Sequence, residues 1–100
     1  MFLYNVTVGI DNDIEQEWLD WMKTRHIPDV LQTGMFVGHK FYKVLHDNND
    51  GTTSYCIQYF ATSLGQVVQY LEVFAPALVE RHRQKFNNKH VAFRTLLKEV

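Results

Sequence analysis

The sequence has little of what several classes of protein require. Cysteine occurs once among its 100 residues, at Cys56, so no disulfide can form within the chain. Basic residues (10) and acidic residues (11) nearly cancel, which argues against a nucleic-acid binder that depends on a basic excess. No apolar run approaches the ~18 residues of a membrane span, and the first residues lack the pattern of a signal peptide. We therefore expect a cytoplasmic protein that binds neither nucleic acid nor a membrane.

Apolar residues, by contrast, are plentiful. They make up 46% of the chain, and aromatic residues make up 14%. A chain this apolar with a net charge of only -1 can offset its ordering entropy by burial, which excludes intrinsic disorder. One hundred residues suffice for one hydrophobic core but not for two. The composition predicts a single domain over residues 1–100.

A strand and then a helix are indicated at the start of the chain. Apolar side chains alternate over residues 2–10, which predicts a strand with one strongly apolar face. Residues 11–13 offer capping side chains, so a helix should begin near Asp13. Pro28 weakens this helix, although one more turn fits before Gly34 ends it. On a helical wheel its apolar stripe holds Ile14, Trp18, Trp21, Met22 and Arg25, with Leu19 and His26 at the edge.

A β-hairpin should follow the first helix. Residues 35–45 are rich in β-branched and aromatic side chains, and so are residues 53–61. Residues 46–51, between them, are polar or glycine, as is typical of a hairpin loop. The pattern predicts two antiparallel strands.

A second helix and a last strand complete the pattern. Ser63 is placed to cap the helix, and Pro76 should either kink it or begin a second helix there. Residues 87–89 should end the helix, and residues 90–97 form the last strand. The apolar stripe of this helix holds Leu64, Val67, Val68, Leu71, Phe74, Ala75, Leu78, Val79, His82 and Phe86.

The element order βαββαβ predicts an α+β fold, a ferredoxin-like antiparallel sheet with both helical segments on one face. Both faces of that sheet are apolar. One face of the hairpin offers Val37, Phe41, Tyr55, Ile57 and Tyr59. The other offers Phe36, Tyr42, Val44, Cys56 and Phe60. The last strand likewise sets Val91, Phe93 and Leu97 against Ala92 and Leu96.

Two helices can cover only one face, so something else must cover the second. For a short chain the simplest cover is a second copy, which predicts a homodimer with facing sheets, a dimeric α+β barrel. Burial of about ten large side chains at ~50 Å² each would contribute roughly 12 kcal/mol before association entropy is subtracted.

Four segments of the chain resemble a family of small bacterial proteins of unknown function. They are EWLDWMKTRHIPDVLQTGMF (17–36), YCIQYF (55–60), YLEVFAPALVERHRQKF (70–86) and VAFRTLLKEV (91–100). The combination W-x-x-W, H-I-P-D-V-L, F-A-P and A-F-R carries the resemblance over nearly the whole length. The resemblance implies membership of the dimeric α+β barrel superfamily, which agrees with the dimer expected above.

That superfamily does not imply one chemistry. It includes cofactor-independent antibiotic-biosynthesis monooxygenases, haem-degrading monooxygenases, muconolactone isomerases and stress-responsive barrel proteins. Haem-degrading members use an asparagine on the first strand and a tryptophan and a histidine on the second helix. Asn5 and His82 match two of these places, but Trp18 and Trp21 both lie on the first helix. We therefore expect no cofactor.

The candidate catalytic residues are His26 and His82. His26 lies beside Arg25, and an imidazole with a pKa of about 6.5 next to a guanidinium could bind and deprotonate an acidic small molecule. The alternative is that both side chains only complement the negative end of the helix, where Asp29 could hold the His26 ring. His82 lies in the apolar stripe of the second helix and is either a base or a hydrogen-bonded core histidine.

The candidate ligand-binding residues are Asn5, Trp18, Trp21, Arg25 and His39. Trp18 and Trp21 could wall a pocket for a flat aromatic ligand, although such stripes are usually core. His39 interrupts an otherwise apolar strand face. The histidines form no i, i+4 pair and no cysteine cluster accompanies them, so no metal site is expected.

Two further patterns allow more than one interpretation. A basic run near the end of the second helix, formed by Arg81, Arg83, Lys85 and Lys89 with His82 and His90, could guide an anionic ligand or simply be a solvated helix face. The element order is also that of RRM domains, but the segment TTSYCIQYFA lacks their basic, glycine-containing motif.

Two hypotheses of function remain. The first is a homodimeric enzyme, similar to a cofactor-independent monooxygenase or isomerase, with a pocket between helices and sheet for a small aromatic or anionic compound. The second is a noncatalytic dimer that binds a ligand or has a structural role. A P-loop, a nucleophile elbow and a dinucleotide fingerprint are all missing from the sequence, so it does not choose between them.

Overall fold

A computed structural model describes residues 1–46 and 48–100. The strands are β1 (Phe2–Asp11), β2 (Gly38–Lys43), β3 (Thr52–Ala61) and β4 (His90–Lys98). After a 3-10 turn (Asn12–Ile14), the first helical arm, residues 15–32, comprises α1 (Glu15–Trp21), a π turn (Met22–His26) and α2 (Ile27–Gln32). The second helical arm, residues 64–85, comprises α3 (Leu64–Gln69), a π turn (Tyr70–Phe74) and α4 (Ala75–Lys85).

The four strands form one antiparallel sheet in the order β2-β3-β1-β4, which confirms the ferredoxin-like fold. In the middle of the sheet, Tyr4 of β1 lies between Tyr59 of β3 and Leu96 of β4. The even-numbered side chains of β1 point toward the helical arms and include the buried Val8 and Ile10. The odd-numbered side chains point the other way. Both helical arms thus cover one face, and we call the opposite one the open face.

The open face is less apolar than the sequence predicted. Its large apolar side chains are Leu3, Tyr42, Phe60, Val91, Phe93 and Leu97. A polar row crosses the sheet between them, formed by Lys40, Gln58, Asn5 and Thr95. Phe36 and Val37 were predicted on the two faces of the first hairpin strand, which was wrong because β2 begins only at Gly38. Phe36 is buried in the core with 6% exposure, and Val37 is 65% exposed.

In each helical arm a π turn lies just before the proline. The backbone N–H of Ile27 donates to the carbonyl of Met22, and that of Ala75 to the carbonyl of Tyr70, both five residues back. A proline in a regular α-helix clashes with the carbonyl four residues earlier. One inserted residue changes that register, so the first arm continues beyond Pro28 and α4 begins at Ala75, one residue earlier than expected.

The π turns also rotate the side chains that follow them. Arg25 was predicted on the apolar stripe, but it is exposed, and His26 instead points inward and is half-buried. The helical wheel assumes 3.6 residues per turn, and a π turn takes more residues, so positions within it move around the axis. The same effect explains Tyr70, which the stripe did not include and which is 2% exposed.

Local signals fixed the ends of several elements. The Ser63 hydroxyl accepts the backbone N–H of Gln66 at 3.2 Å, which confirms the predicted cap. Gly34 ends the first arm with a φ of +78°. In the predicted hairpin loop, residues 46–51, Asp47 lies outside the described residues, and Gly51 has a φ of +79°. Among the described residues, the helices are too short or too polar to cross a membrane.

Candidate functional site

A narrow cleft, which we call the histidine cleft, lies between the two helical arms and the sheet. It is lined by Val6, Val8, Met22, His26, Ile57, Tyr59, Val79, His82, Ala92 and Arg94. About 340 Å³ within it is free of protein atoms, open mouth included, and the centre of a water molecule can reach about 30 Å³ of that. This is room for about two waters. A ligand therefore inserts only a small group unless side chains at the mouth move.

A buried hydrogen bond between the helical arms fixes one histidine. The indole Nε1–H of Trp18 donates to Nε2 of His82 at 2.9 Å. Trp18 is fully buried and His82 is 8% exposed. Because the indole nitrogen can only donate, Nε2 of His82 accepts, and the neutral ring carries its proton on Nδ1. The basic lone pair of His82 is therefore already engaged.

Burial keeps both histidines of the cleft uncharged at neutral pH. Desolvation lowers the pKa of His82 to about 3, with further lowering from the charges of His90, His26 and Arg94. Desolvation also lowers the pKa of His26 to about 4, although the Asp29 carboxylate opposes this. Three histidine rings are neighbours here, since the ring of His82 lies 5.8 Å from that of His26 and 4.5 Å from that of His90.

His26 is held by stacking. Its ring lies against Trp21 with the centroids 5.3 Å apart and the planes inclined by 27°. Asp29, which the sequence suggested as a partner for this ring, instead accepts a hydrogen bond from Arg81 at 2.6 Å. No hydrogen bond to a His26 ring nitrogen occurs among the described residues. One nitrogen of this neutral ring thus has a lone pair available.

Two polar side chains of the sheet complete the cleft. The Arg94 guanidinium donates through Nε to the Tyr4 hydroxyl at 2.9 Å. Burial raises the pKa of Tyr4, and the Arg94 charge works against that rise. Tyr59 is 1% exposed, and its hydroxyl has no hydrogen-bond partner within residues 1–46 and 48–100. Such an unpaired buried hydroxyl is uncommon in folded proteins.

The structure brings some of the predicted site residues together and separates others. His26, His82, Trp18 and Trp21 form one cluster. Arg25 points to solvent, as described above.

Asn5 and His39 also lie apart from that cluster. Asn5 lies on the open face, where its amide oxygen accepts a hydrogen bond from the Cys56 thiol at 2.7 Å. His39 is exposed on the edge strand β2, and its ring centroid is 6.5 Å from that of Tyr59. Neither residue lines the histidine cleft.

The basic run of α4 is paired with carboxylates. Arg81 binds Asp29, and Arg83 binds Glu80 within the same helix. Lys85 lies 3.8 Å from Glu17, and Lys89 lies 3.3 Å from Asp13. These contacts favour the interpretation of the run as a solvated helix face.

Sequence reasoning missed Arg94, Tyr59 and His90 as members of the site. The sequence alternation of β4 could have indicated Arg94, because Arg94 shares a face with Ala92 and Leu96. That face points toward the helical arms. A charged residue on that face of a strand calls for a partner. The unpaired hydroxyl of Tyr59 has no sequence signal at all.

A metal site finds no support in the part of the chain that the structure describes, because no group of three or more His, Cys, Asp or Glu side chains is arranged to hold an ion. The expectation that the protein has no metal site stays a prediction.

Comparison with known families gives a match over the full length of the chain. A family described as "Domain of unknown function (DUF4286)" matches residues 1–100. Comparison with curated proteins finds no match.

Solved structures share the fold at low sequence identity. HapK from Hahella chejuensis superposes with a TM-score of 0.72 at 11% identity, covering 100% of this chain and 93% of that one. A dimeric ferredoxin-like protein from an uncultured marine organism gives 0.70 at 12% identity, covering 99% and 97%. SnoaB from Streptomyces nogalater, a cofactor-independent oxygenase, gives 0.67 at 14% identity, covering 98% and 92%. At these identities the likeness establishes the fold.

Proposed function

The chain belongs to the DUF4286 family, whose description states no activity, and we propose from the cleft itself that the protein binds a small acidic organic molecule and transfers a proton on it. The carrying observation is a neutral imidazole with a free lone pair, His26, in the same cleft as the Arg94 guanidinium. This combination supports proton abstraction next to a carbonyl group, as in isomerases and cofactor-independent oxygenases.

His26 is the base in this proposal. Of the two candidate histidines, His82 has its Nε2 lone pair engaged by Trp18, so it serves as a donor through Nδ1–H. The lowered pKa of His26 keeps the ring uncharged at neutral pH, with one of its two nitrogens unprotonated. It also makes the ring a weak base until charge develops beside it. An enolate forming in the cleft would raise that pKa, as an opposite charge does for any buried imidazole.

Arg94 stabilises the product of this step. His26 takes a proton from the carbon next to the carbonyl, and the electron pair of the broken C–H bond moves to the carbonyl oxygen. The Arg94 guanidinium then faces the new negative charge and can donate charge-assisted hydrogen bonds to it. Return of the proton to a different carbon gives isomerisation. An oxygenase would in addition consume dioxygen, which oxidises the substrate while it is itself reduced.

The second candidate function is noncatalytic ligand binding. It is favoured by the small size of the histidine cleft, in which about 30 Å³ is reachable by the centre of a water molecule. A site that only binds the end of a ligand needs no more room than this.

Deuterium exchange distinguishes the two candidates. We expect the full-length protein to accelerate the exchange of the central C–H protons of acetylacetone for deuterium in D2O. Proton NMR measures this exchange as the loss of the C–H signal. His26→Gln should remove most of this acceleration, about 10²-fold or more, because general-base catalysis typically contributes that much. His39→Gln is the matched control and should leave the rate unchanged. Equal rates with wild type and with His26→Gln would leave only the binding function.

The proposal includes assembly of residues 1–100, as one domain, into a cytoplasmic homodimer through the open face. Phe93 is 61% exposed there and Val91 is 75% exposed, so the face offers apolar surface that water would otherwise contact. Six large apolar side chains at ~50 Å² each contribute roughly 8 kcal/mol before association entropy, less than the sequence suggested. A similar structure is described as a dimeric ferredoxin-like protein, which supports the same arrangement.

A further inference from the structure

Among the described residues, the hydroxyl of Tyr59 is a buried polar group without a hydrogen-bond partner. Tyr59 lines the histidine cleft, and its Oη has no partner among the described residues although the side chain is almost wholly buried. Leaving a buried hydroxyl unpaired is unfavourable, because the group loses its hydrogen bonds to water and gains none in the protein. Burial, with the neighbouring Tyr70 and Tyr4 hydroxyls, raises the pKa of Tyr59, so the group stays protonated and can donate.

The polar side chains that line the cleft together with Tyr59 are mostly donors. Arg94 contributes a guanidinium, and His82 contributes Nδ1–H because its other nitrogen accepts from Trp18. Among the described residues that line the cleft there is no aspartate or glutamate. The free lone pair of His26 is the exception. A group that fits these walls must therefore accept several hydrogen bonds, and a negatively charged oxygen does so best.

We propose that the histidine cleft selects ligands with a compact carboxylate or enolate oxygen group, and that the Tyr59 hydroxyl and the Arg94 guanidinium bind that group together. The two side chains come from β3 and β4, the strands on either side of β1, so the oxygen group lies over the middle of the sheet. This inference rests on the proposed function in that it assigns the ligand class of the same cleft. It makes Tyr59 a specificity-determining residue.

A matched pair of probes tests the selection. Acetoacetate carries a carboxylate, and acetoacetamide has the same skeleton with a neutral amide. Titration of the full-length protein by two-dimensional NMR should give an affinity at least ~10-fold higher for acetoacetate. Tyr59→Phe should weaken the binding of acetoacetate about 10-fold, because one hydrogen bond to a charged group is lost. The affinities for the two probes should then be similar. Tyr70→Phe is the control, because Tyr70 is buried in the same aromatic cluster but does not line the cleft.

The stability of Tyr59→Phe gives an independent readout. Without ligand, removal of an unpaired hydroxyl should leave the urea midpoint unchanged or higher. A lower midpoint means that the hydroxyl has an internal partner, such as a buried water, and overturns the inference. Equal affinity of wild type for the two probes overturns it too, as does undiminished acetoacetate binding by Tyr59→Phe.

The proposed function fails on a different result. If wild type does not accelerate deuterium exchange in acetylacetone, the proposed proton transfer is absent. The selection for carboxylates is then judged separately, by the titration with acetoacetate and acetoacetamide. If exchange is accelerated but acetoacetate does not bind, the selection is wrong and the proton transfer remains.

Discussion

Acidification should destabilise this protein well above the pH at which its carboxylates titrate, because of two buried histidines. The pKa is about 3 for His82 and about 4 for His26 in the folded chain, against a usual value of about 6.5 for an unfolded one. Between these values the unfolded chain binds protons that the folded chain excludes. Stability is therefore fully present above about pH 6.5 and is lost progressively as pH falls toward 4.

The magnitude follows from the same linkage. At about pH 5 an unfolded histidine has gained roughly 2 kcal/mol from protonation relative to about pH 8, whereas a folded ring with a pKa of 4 or below has gained almost nothing. Two rings give about 4 kcal/mol, and about 3 kcal/mol after allowance for the partial exposure of His26. A domain of this size has roughly 5–15 kcal/mol in total, so the loss is large.

The groups that face these rings set the size of the effect. His26 is near the charges of Asp29, Arg81 and Arg94, and His82 is near His90, His26 and Arg94. For His82 these charges add to desolvation and resist protonation of the ring. For His26 the Asp29 carboxylate opposes desolvation, and the two arginines reinforce it.

Urea unfolding at fixed protein concentration, measured at about pH 8 and about pH 5, checks this. The double variant His26→Gln with His82→Gln removes both titrating rings, and the amide oxygen introduced by His82→Gln could still accept from Trp18. This variant should lose about 1 kcal/mol or less over the same range. His39→Gln, at an exposed position, should behave as wild type. The reasoning is refuted if the double variant loses as much stability as wild type.

Two further predictions concern packing and assembly. Trp18→Phe should lower the free energy of unfolding, measured in urea, by about 2–4 kcal/mol, because it leaves a cavity in the core and leaves Nε2 of His82 without a donor. Trp21→Phe, at a half-buried position, should lower it by about 1 kcal/mol. Equal losses in the two variants would argue against the role of the hydrogen bond. Phe93→Asp should shift the protein from dimer to monomer at micromolar concentration in sedimentation equilibrium, whereas Val73→Asp, at a helical position of equal exposure, should not. A monomeric wild type would exclude the dimer.

Much of the fold follows from local patterns. The alternation of β1, the cap at Ser63 and the turn at Gly34 each depend on neighbours within a few residues, and each was predicted correctly. The order βαββαβ then allows few sheet topologies. The start of β2 was misplaced because residues 35–37 have the composition of a strand but β2 begins only at Gly38. The backbone N–H of Val37 still donates to the carbonyl of Phe60 in β3.

The candidate site was predicted only in part. His82 and the two tryptophans were correctly assigned to inward stripes, but His26 was placed at an edge and Arg25 inside. The difference arises from the π turn at Met22–His26, which depends on how the backbone accommodates Pro28. Arg94 and Tyr59 lie on strands whereas His26 and His82 lie on the helical arms, and only the assembled sheet places the four in the same cleft.

Sequence by itself thus settled which residues alternate, where helices are capped and that one core of aromatic side chains would form, because these depend on short-range geometry and on burial of apolar surface. Tertiary structure was needed for the rest. Packing across the chain put the helical arms on the even-numbered face of β1, which separated Asn5 from the histidines. It also joined Trp18 to His82, 64 residues apart, and so determined which histidine keeps a free lone pair. A hydrogen bond of that separation exists only once the sheet and both arms are assembled.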